Sequence, residues 1–333
     1  VIRVGGVRIG VTAVLGLSLK DSVAPAGVET NISVVDPKAV LPKVIADLKR
    51  EEPAFLVLLA HGNKEEAKDL AEAFPEFRII LTAGSPDDAV PRPTVVNDAW
   101  IIETGVKGRA VGVLGYYPAN EGRPFRYELI ELDNKRFPID ERMVELMRHY
   151  QQRLEDERLS QSDKLRLVHP TGWTFVGAET CGECHKKAYA HWKETGHAKA
   201  TDTLVHGRPG EEAHWVPRLF DPECLSCHAT GWEPQRYLRY DSGYFSEEAS
   251  SHLRGQQCEN CHGPGSRHTE VERAFARDAQ SVPRDELERL RKAVRRTYEQ
   301  AEQRLCFECH DVENSPNFKF EDYWEEVAHP WKD

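Results

Sequence analysis

Four times in its second half the chain writes one arrangement: CGECH (Cys181, Cys184, His185), CLSCH (Cys224, Cys227, His228), CENCH (Cys258, Cys261, His262) and CFECH (Cys306, Cys309, His310). These repeats hold all eight cysteines of the 333 residues. Cys-x-x-Cys-His is the attachment sequence of c-type haem. Each thiol adds across one vinyl group of the porphyrin, and the adjacent histidine lies beneath the iron as proximal ligand. Two rival chemistries use paired cysteines: tetrathiolate zinc sites, and disulfides in an exported protein. Neither accounts for a histidine after every pair. Histidine supplies 14 of the 333 residues, so four such placements by chance are on the order of a few in a million against this template. The pattern therefore calls for four covalently bound c-type haems.

A low-spin electron-transfer haem takes a sixth ligand, and its identity tunes the potential. The only two methionines, Met143 and Met147, lie in a charged segment before the first repeat, so a distal ligand is expected to be histidine. Outside the motifs the candidates are His169, His191, His197, His206, His214, His252, His268 and His329.

The two halves are written differently. Residues 1–137 lack cysteine and alternate strands with helices, an α/β pattern. Strands are expected over Ile2–Leu15, Phe55–His61, Arg78–Thr82, Thr94–Glu103, Ala110–Tyr116 and Phe125–Leu132, helices over Pro37–Arg50 and Lys64–Phe74. The stretch 54–83 reads as a crossover in a partly parallel sheet. Residues 138–168 are expected to form a linking helix with an apolar stripe of Met143, Leu146, Met147, Tyr150 and Leu154. Residues 169–333 read as a mainly α, loop-rich domain holding six of the seven tryptophans. One further helix is expected there, Asp285–Leu305. So few periodic apolar segments could hardly fill a core of that length; haem faces, with the tryptophans packed on them, would.

Beyond the motifs, the stretches CGECHKKAYAHWKETGHAKATDTL, DPECLSCHATGW, GQQCENCHGPGSRH and CFECHDVENSPNFKFEDYWEEVAHP together resemble the tetrahaem cytochrome c-554 family over about 175–333. The resemblance implies closely packed haems on a helical, loop-rich scaffold that carries electrons. It also implies distal ligands at His197, His268 and His329, with His268 serving a neighbouring haem rather than that of His262. The family typically leaves the second motif's haem without a strong sixth ligand. His252, shortly before the third motif, is the candidate to complete the iron of His228.

The first half, through GGVRIGVTAVLG, AFLVLLAHGNKEEAKDLAEAFPEFRIILTAG and IIETGVKGRAVGVL, is similar to the latter part of the calcineurin-like metallophosphatase and 5′-nucleotidase fold. That fold holds two metals on several histidine and aspartate motifs. His61 matches its lone histidine, AGSPDD stands where Gly-His-x-His belongs, and the earlier motifs are missing. One imidazole cannot hold two metals, so a catalytically inactive scaffold or docking surface is expected, without phosphoesterase activity.

The formal charge of −11 opposes nucleic-acid binding, which needs a basic surface. The arginines of 289–296 alternate with acids and read as a solvated helix face. No apolar run reaches bilayer length, so no transmembrane segment is expected. The opening VIRVGGVRIGVTAVLG reads as a hairpin inside a domain, so an export signal is expected upstream of it. The function expected is an exported, periplasmic or extracellular electron carrier between redox proteins, with self-association into a longer conduit as a variant. The alternative is a multihaem oxidoreductase acting on a small nitrogen or sulfur oxide at a five-coordinate haem.

Overall fold

The computed structural model describes the chain apart from residues 24–31, 84–88, 106–107, 121, 134, 208–209, 211, 312–313, 316 and 330–333. It divides into two units, Val1–Pro138 and Ile139–Asp333. The first is α/β and the second is mainly helical.

In the first unit, Ile2–Val4 (β1) and Val7–Leu15 (β2) are joined by Gly5 and Gly6, both at positive φ. Two successive left-handed residues make the tight hairpin turn whose twist suits antiparallel strands. The span Ile2–Leu15 is thus two strands, the hairpin that its opening text suggests. Helix α1 (Pro37–Arg50) starts where the Asp36 side chain accepts from the backbone N–H of Lys38 and Pro37 occupies the first turn. Strand β3 (Phe55–His61) leads into α2 (Lys64–Ala73), opened by a reciprocal cap between Asn63 and Glu66. Glu66 also accepts from the backbone N–H and hydroxyl of Ser18, fastening the end of β2 to this helix start. Then come β4 (Phe77–Thr82), β5 (Thr94–Val96) and β6 (Ala99–Glu103). The last two replace the one strand expected at 94–103, because Asn97 takes φ 50° and folds them into a hairpin.

The sheet order is β1-β2-β3-β4-β6-β5, parallel from β2 through β6 with antiparallel edges. Alternation along the strands sends Leu56, Leu58, Ala60, Ile80 and Ile101 to one face, against Leu41 and Ile45 of α1 and Ala67, Leu70 and Ala71 of α2. The opposite face, with Phe55, Ile79 and Ile102, meets Phe125, Leu114, Tyr116 and Tyr127. Those come from a separate hairpin of β7 (Ala110–Tyr116) and β8 (Phe125–Glu131).

The second unit opens with α3 (Glu141–Asp156). Its buried line is Val144, Gln151 and Leu154; of the expected stripe Leu154 is buried and Met147 half-buried, but Met143, Leu146 and Tyr150 are exposed by 60%, 59% and 48%. The helix is turned by a polar contact, the Gln151 amide donating to Asp221 at 2.9 Å between two buried residues. Hydrogen bonding of a buried carboxylate outweighs the burial of a few exposed apolar atoms. Two small apolar clusters serve this unit. One joins Phe175, Leu204, Leu225, Trp232, Tyr244 and Leu253, the other Val271, Val282, Leu287 and Leu290. Among the described residues no helix is long and apolar enough to cross a membrane.

Ile80 is fully buried in the first unit, so Ile80→Ala is expected to lower that unit's stability by about 2–5 kcal/mol, read as an earlier midpoint in urea.

Candidate functional site

Each repeat sits on a short helical turn, and this is why its spacing works. Residues i, i+3 and i+4 share one face of a helix, so both thiols and the imidazole of Cys-x-x-Cys-His project together. The first repeat spans the end of α4 (Ala178–Gly182) and the start of α5 (Lys186–Glu194), with the His185 N–H bonded to the Cys181 carbonyl at 2.9 Å. A helix α6 (Ala200–His206) follows, then the second repeat on α7 (Pro222–His228) and the third on α8 (Cys258–His262). The fourth closes in the same way, His310 N–H to the Cys306 carbonyl at 2.8 Å.

No two of the eight cysteines are joined as a disulfide. Four of them approach one another in twos across repeats, Cys181 beside Cys258 and Cys227 beside Cys309. Among the described residues no three His, Cys, Asp or Glu side chains converge as a tetrathiolate or similar metal site requires. Burial pushes the Cys224 thiol up to about 12 and the Cys261 thiol up to about 11.

Three motif histidines stand opposite a second imidazole. His185 faces His268 with ring centroids 6.4 Å apart and planes 18° apart. His310 faces His197 at 6.0 Å and 45°, and His262 faces His329 at 5.8 Å and 53°. These gaps lie toward the wide end of the range of ring contacts. With a metal–imidazole bond of about 2 Å on each side, two ring centres lie roughly 6 Å apart, so a haem iron fits each pair. The Nδ1 atom of His268 is buried without a hydrogen-bond partner, and the nearest acid is a Glu272 carboxylate oxygen at 3.9 Å.

Hydrogen bonds select the tautomer. Nδ1 of His262 meets the Val294 carbonyl at 2.6 Å, Nδ1 of His228 the Ala200 carbonyl at 2.8 Å, and Nδ1 of His329 the Val327 carbonyl at 2.9 Å. A carbonyl only accepts, so each Nδ1 carries the proton and donates, which leaves the lone pair on Nε2. Nδ1 of His310 lies 3.1 Å from the Ser315 hydroxyl, and its ring stacks on Phe318 at 4.2 Å. Burial lowers the basicity of His197, His262 and His268, and burial followed by the nearby His197 and His228 pushes His310 down to about 4. Neutral imidazole is the form that binds a metal.

His252 is placed elsewhere. It is exposed, its carbonyl accepts from Gln257, and its ring edge lies against Gly177 beside the first repeat. His169 bonds Thr171 and packs on Phe175 and Tyr240, an ordinary structural histidine. Trp192 donates to the Gln256 carbonyl and Trp232 to that of Tyr244; Trp331 lies outside the described residues.

The helix expected over Asp285–Leu305 is interrupted, and the site is the reason. It runs as α10 over Arg284–Val294, leaves helical form at Arg295, and resumes at Tyr298. The Val294 carbonyl, which would continue the helix, accepts from His262 instead. Arg296 then folds back to donate to the carbonyls of Cys261 and His262 at 2.6 and 2.9 Å. The break is thus a clamp on the third repeat, which apolar periodicity does not register.

Comparison with known proteins addresses this same region. Residues 180–263 match the family described as Cytochrome c554 and c-prime. The curated protein Cytochrome c-554 of Nitrosomonas europaea is 32% identical over 123 residues, covering 34% of this chain and 50% of that protein. The C-terminal region is cytochrome c-554-like. The match spans half the length of that relative, and covalently bound c-type haem is what the family implies for the c-554-like region. A solved structure of reduced cytochrome c554 from the same organism aligns at 27% identity over 46% of this chain and 83% of that one, with a TM-score of 0.34 that carries no statement about the fold.

Arg296→Ala would leave the Cys261 and His262 carbonyls without their donors. The expected loss is about 1–3 kcal/mol, measured as a lower thermal midpoint of the C-terminal unit.

Proposed function

We propose that the c-554-like region binds four c-type haems through its eight cysteines, and that the protein carries electrons one at a time between redox partners. The observation that supports this best is the three imidazole pairs, each joining a motif histidine to a histidine from a different segment at a spacing suited to iron. In this reading His185, His228, His262 and His310 are proximal ligands. His268 completes the iron of His185, His197 that of His310, and His329 that of His262. The bound haems supply the redox chemistry. The chain's own residues orient the imidazoles through the hydrogen bonds to Nδ1 of His228, His262 and His329. Bis-histidine ligation leaves no open coordination position on those irons, which favours a carrier over an enzyme.

Covalent c-haem assembly takes place on the outer side of the cytoplasmic membrane, so the protein is assigned to the periplasm or the cell exterior. An acidic surface, with a chain charge of −11 to which haem propionates add, suits electrostatic docking of basic redox proteins. Haems near the ends of one chain meeting those of a second copy would extend the route.

The N-terminal unit is assigned as a metallophosphatase-type scaffold without catalysis. The carboxyl ends of β3, β4 and β6 are where such a fold would gather metal ligands. Here they present one exposed imidazole, His61, a Thr82 hydroxyl bonded to the Gly62 carbonyl, and Glu103. Glu103 is only 2% exposed, and the Lys64 ammonium binds it at 2.6 Å. The one buried acid is thus already neutralised by a cation of the chain itself. Residues 84–88, most of the AGSPDD segment, lie outside the described residues.

Three outcomes are expected. The intact mass exceeds that of the polypeptide by four haems, and the double variant C181A/C184A lowers the pyridine haemochrome count by one; a colourless, unmodified chain refutes the proposal. The oxidised protein gives one rhombic low-spin electron paramagnetic resonance signal, from the near-parallel His185–His268 pair, and two signals of larger principal g from the pairs at 45° and 53°. Nitrophenyl phosphate with manganese is not hydrolysed above the blank, whereas hydrolysis abolished by His61→Ala would overturn the scaffold assignment.

A further inference from the structure

We infer that Glu259, a residue inside the third haem motif, is the positioning residue for a different haem, the one held between His185 and His268. This rests on the haem-ligand reading proposed above.

Glu259 follows Cys258 on α8 and is 3% exposed. Its carboxylate has no cationic partner among its contacts. It accepts instead from three backbone N–H groups: Val176 to both oxygens at 2.9 and 3.0 Å, Gly177 at 2.7 Å and Gly265 at 2.7 Å. Burial raises its pKa, and the N–H groups of Gly265, Val176 and Gly177 oppose that shift. Every contact is a donor, and a protonated acid would bring a hydrogen that none of these groups can accept. A buried carboxylate is costly unless such bonds compensate it. Thioether attachment does not ask for an acid here: the corresponding residues of the other repeats are Gly182, Leu225 and Phe307.

What the carboxylate joins explains its presence. Val176 and Gly177 lead into α4, whose opening N–H groups have no partner within the helix. The next one, of Ala178, is taken by the Gln257 side chain at 2.5 Å. That helix carries Cys181 and delivers His185. Gly265 is the residue before α9 (Ser266–Arg277), which holds His268 in its first turn. One side chain therefore holds the start of the segment bearing the proximal imidazole and the start of the helix bearing the distal one. A second tie runs between the same two segments, Thr174 N–H to the Ser266 hydroxyl at 2.9 Å and Ser266 N–H to the Thr174 carbonyl at 3.2 Å. At 6.4 Å the His185–His268 pair is the widest of the three, so it tolerates the least further separation before the sixth bond is lost.

The test uses the haem-loaded full chain carrying Glu259→Ala, Glu259→Gln or His268→Ala, each checked by mass for four attached haems. Carbon monoxide binding to the dithionite-reduced protein and the resonance spectrum of the oxidised protein are measured. Glu259→Ala is expected to bind one more carbon monoxide per chain than the parent and to lose the rhombic signal, with the other haem signals retained. Glu259→Gln, which keeps one acceptor oxygen, falls between, and His268→Ala shows the full effect. A Glu259→Ala protein with the parent's stoichiometry and spectrum, beside an altered His268→Ala, overturns the inference while leaving the ligand reading intact. An unaltered His268→Ala overturns both. Should Glu259→Ala fail to mature, a parent-like Glu259→Gln overturns the inference.

Discussion

The second unit is organised around places where backbone amides and carbonyls in or near one Cys-x-x-Cys-His motif are taken up by side chains from the segment of another. Its apolar clusters are small and separate, so the usual ordering force, burial of a continuous core, is divided here. Polar ties do the aligning. Glu259 and Gln257 of the third repeat hold the approach to the first. The Gln256 amide donates to the Cys227 carbonyl of the second. Arg296, just before the fourth, closes on the third. Each such bond contributes only about 1 kcal/mol net, but leaving its partner dry and unmatched costs more. The arrangement is therefore strict in geometry while modest in energy.

That division explains what could be read in the residues beforehand. Strand β3, helix α1 and the β7 strand lie at their expected limits because alternation and caps are local signals. The hairpin at Gly5–Gly6 was legible in its paired glycines, whereas the turn at Asn97 splits an apparent strand because its positive φ rests on a single residue. The haem motifs were legible because thioether chemistry demands both thiols and the imidazole within one helical turn. The grouping of imidazoles was not legible: it depends on contacts between segments far apart in sequence. The buried face of helix α3 and the break after Val294 were missed for the same cause. In both, one buried hydrogen bond, Gln151 to Asp221 and His262 to Val294, decides against a pattern read from hydropathy.

The first unit follows the opposite rule. Its layers are set by strict alternation, with α1 and α2 on one face and the β7–β8 hairpin on the other. Its main buried charge, Glu103, is met within the unit by Lys64. The two units differ for a physical reason: a well-filled sandwich needs no prosthetic group to complete it, whereas helical turns carrying paired thiols have little to pack on without one.

The crossing of the imidazole pairs bears on biogenesis. A chain leaving the cell amino end first would present Cys181 to the attachment machinery long before His268 emerged, and His262 before His329. Under the ligation proposed above, the first and third porphyrins would then spend part of maturation with one side uncovered, whereas the fourth would find His197 already waiting. Shielding of those bare faces against oxygen and stray ligands would fall to the secretion apparatus rather than to the polypeptide.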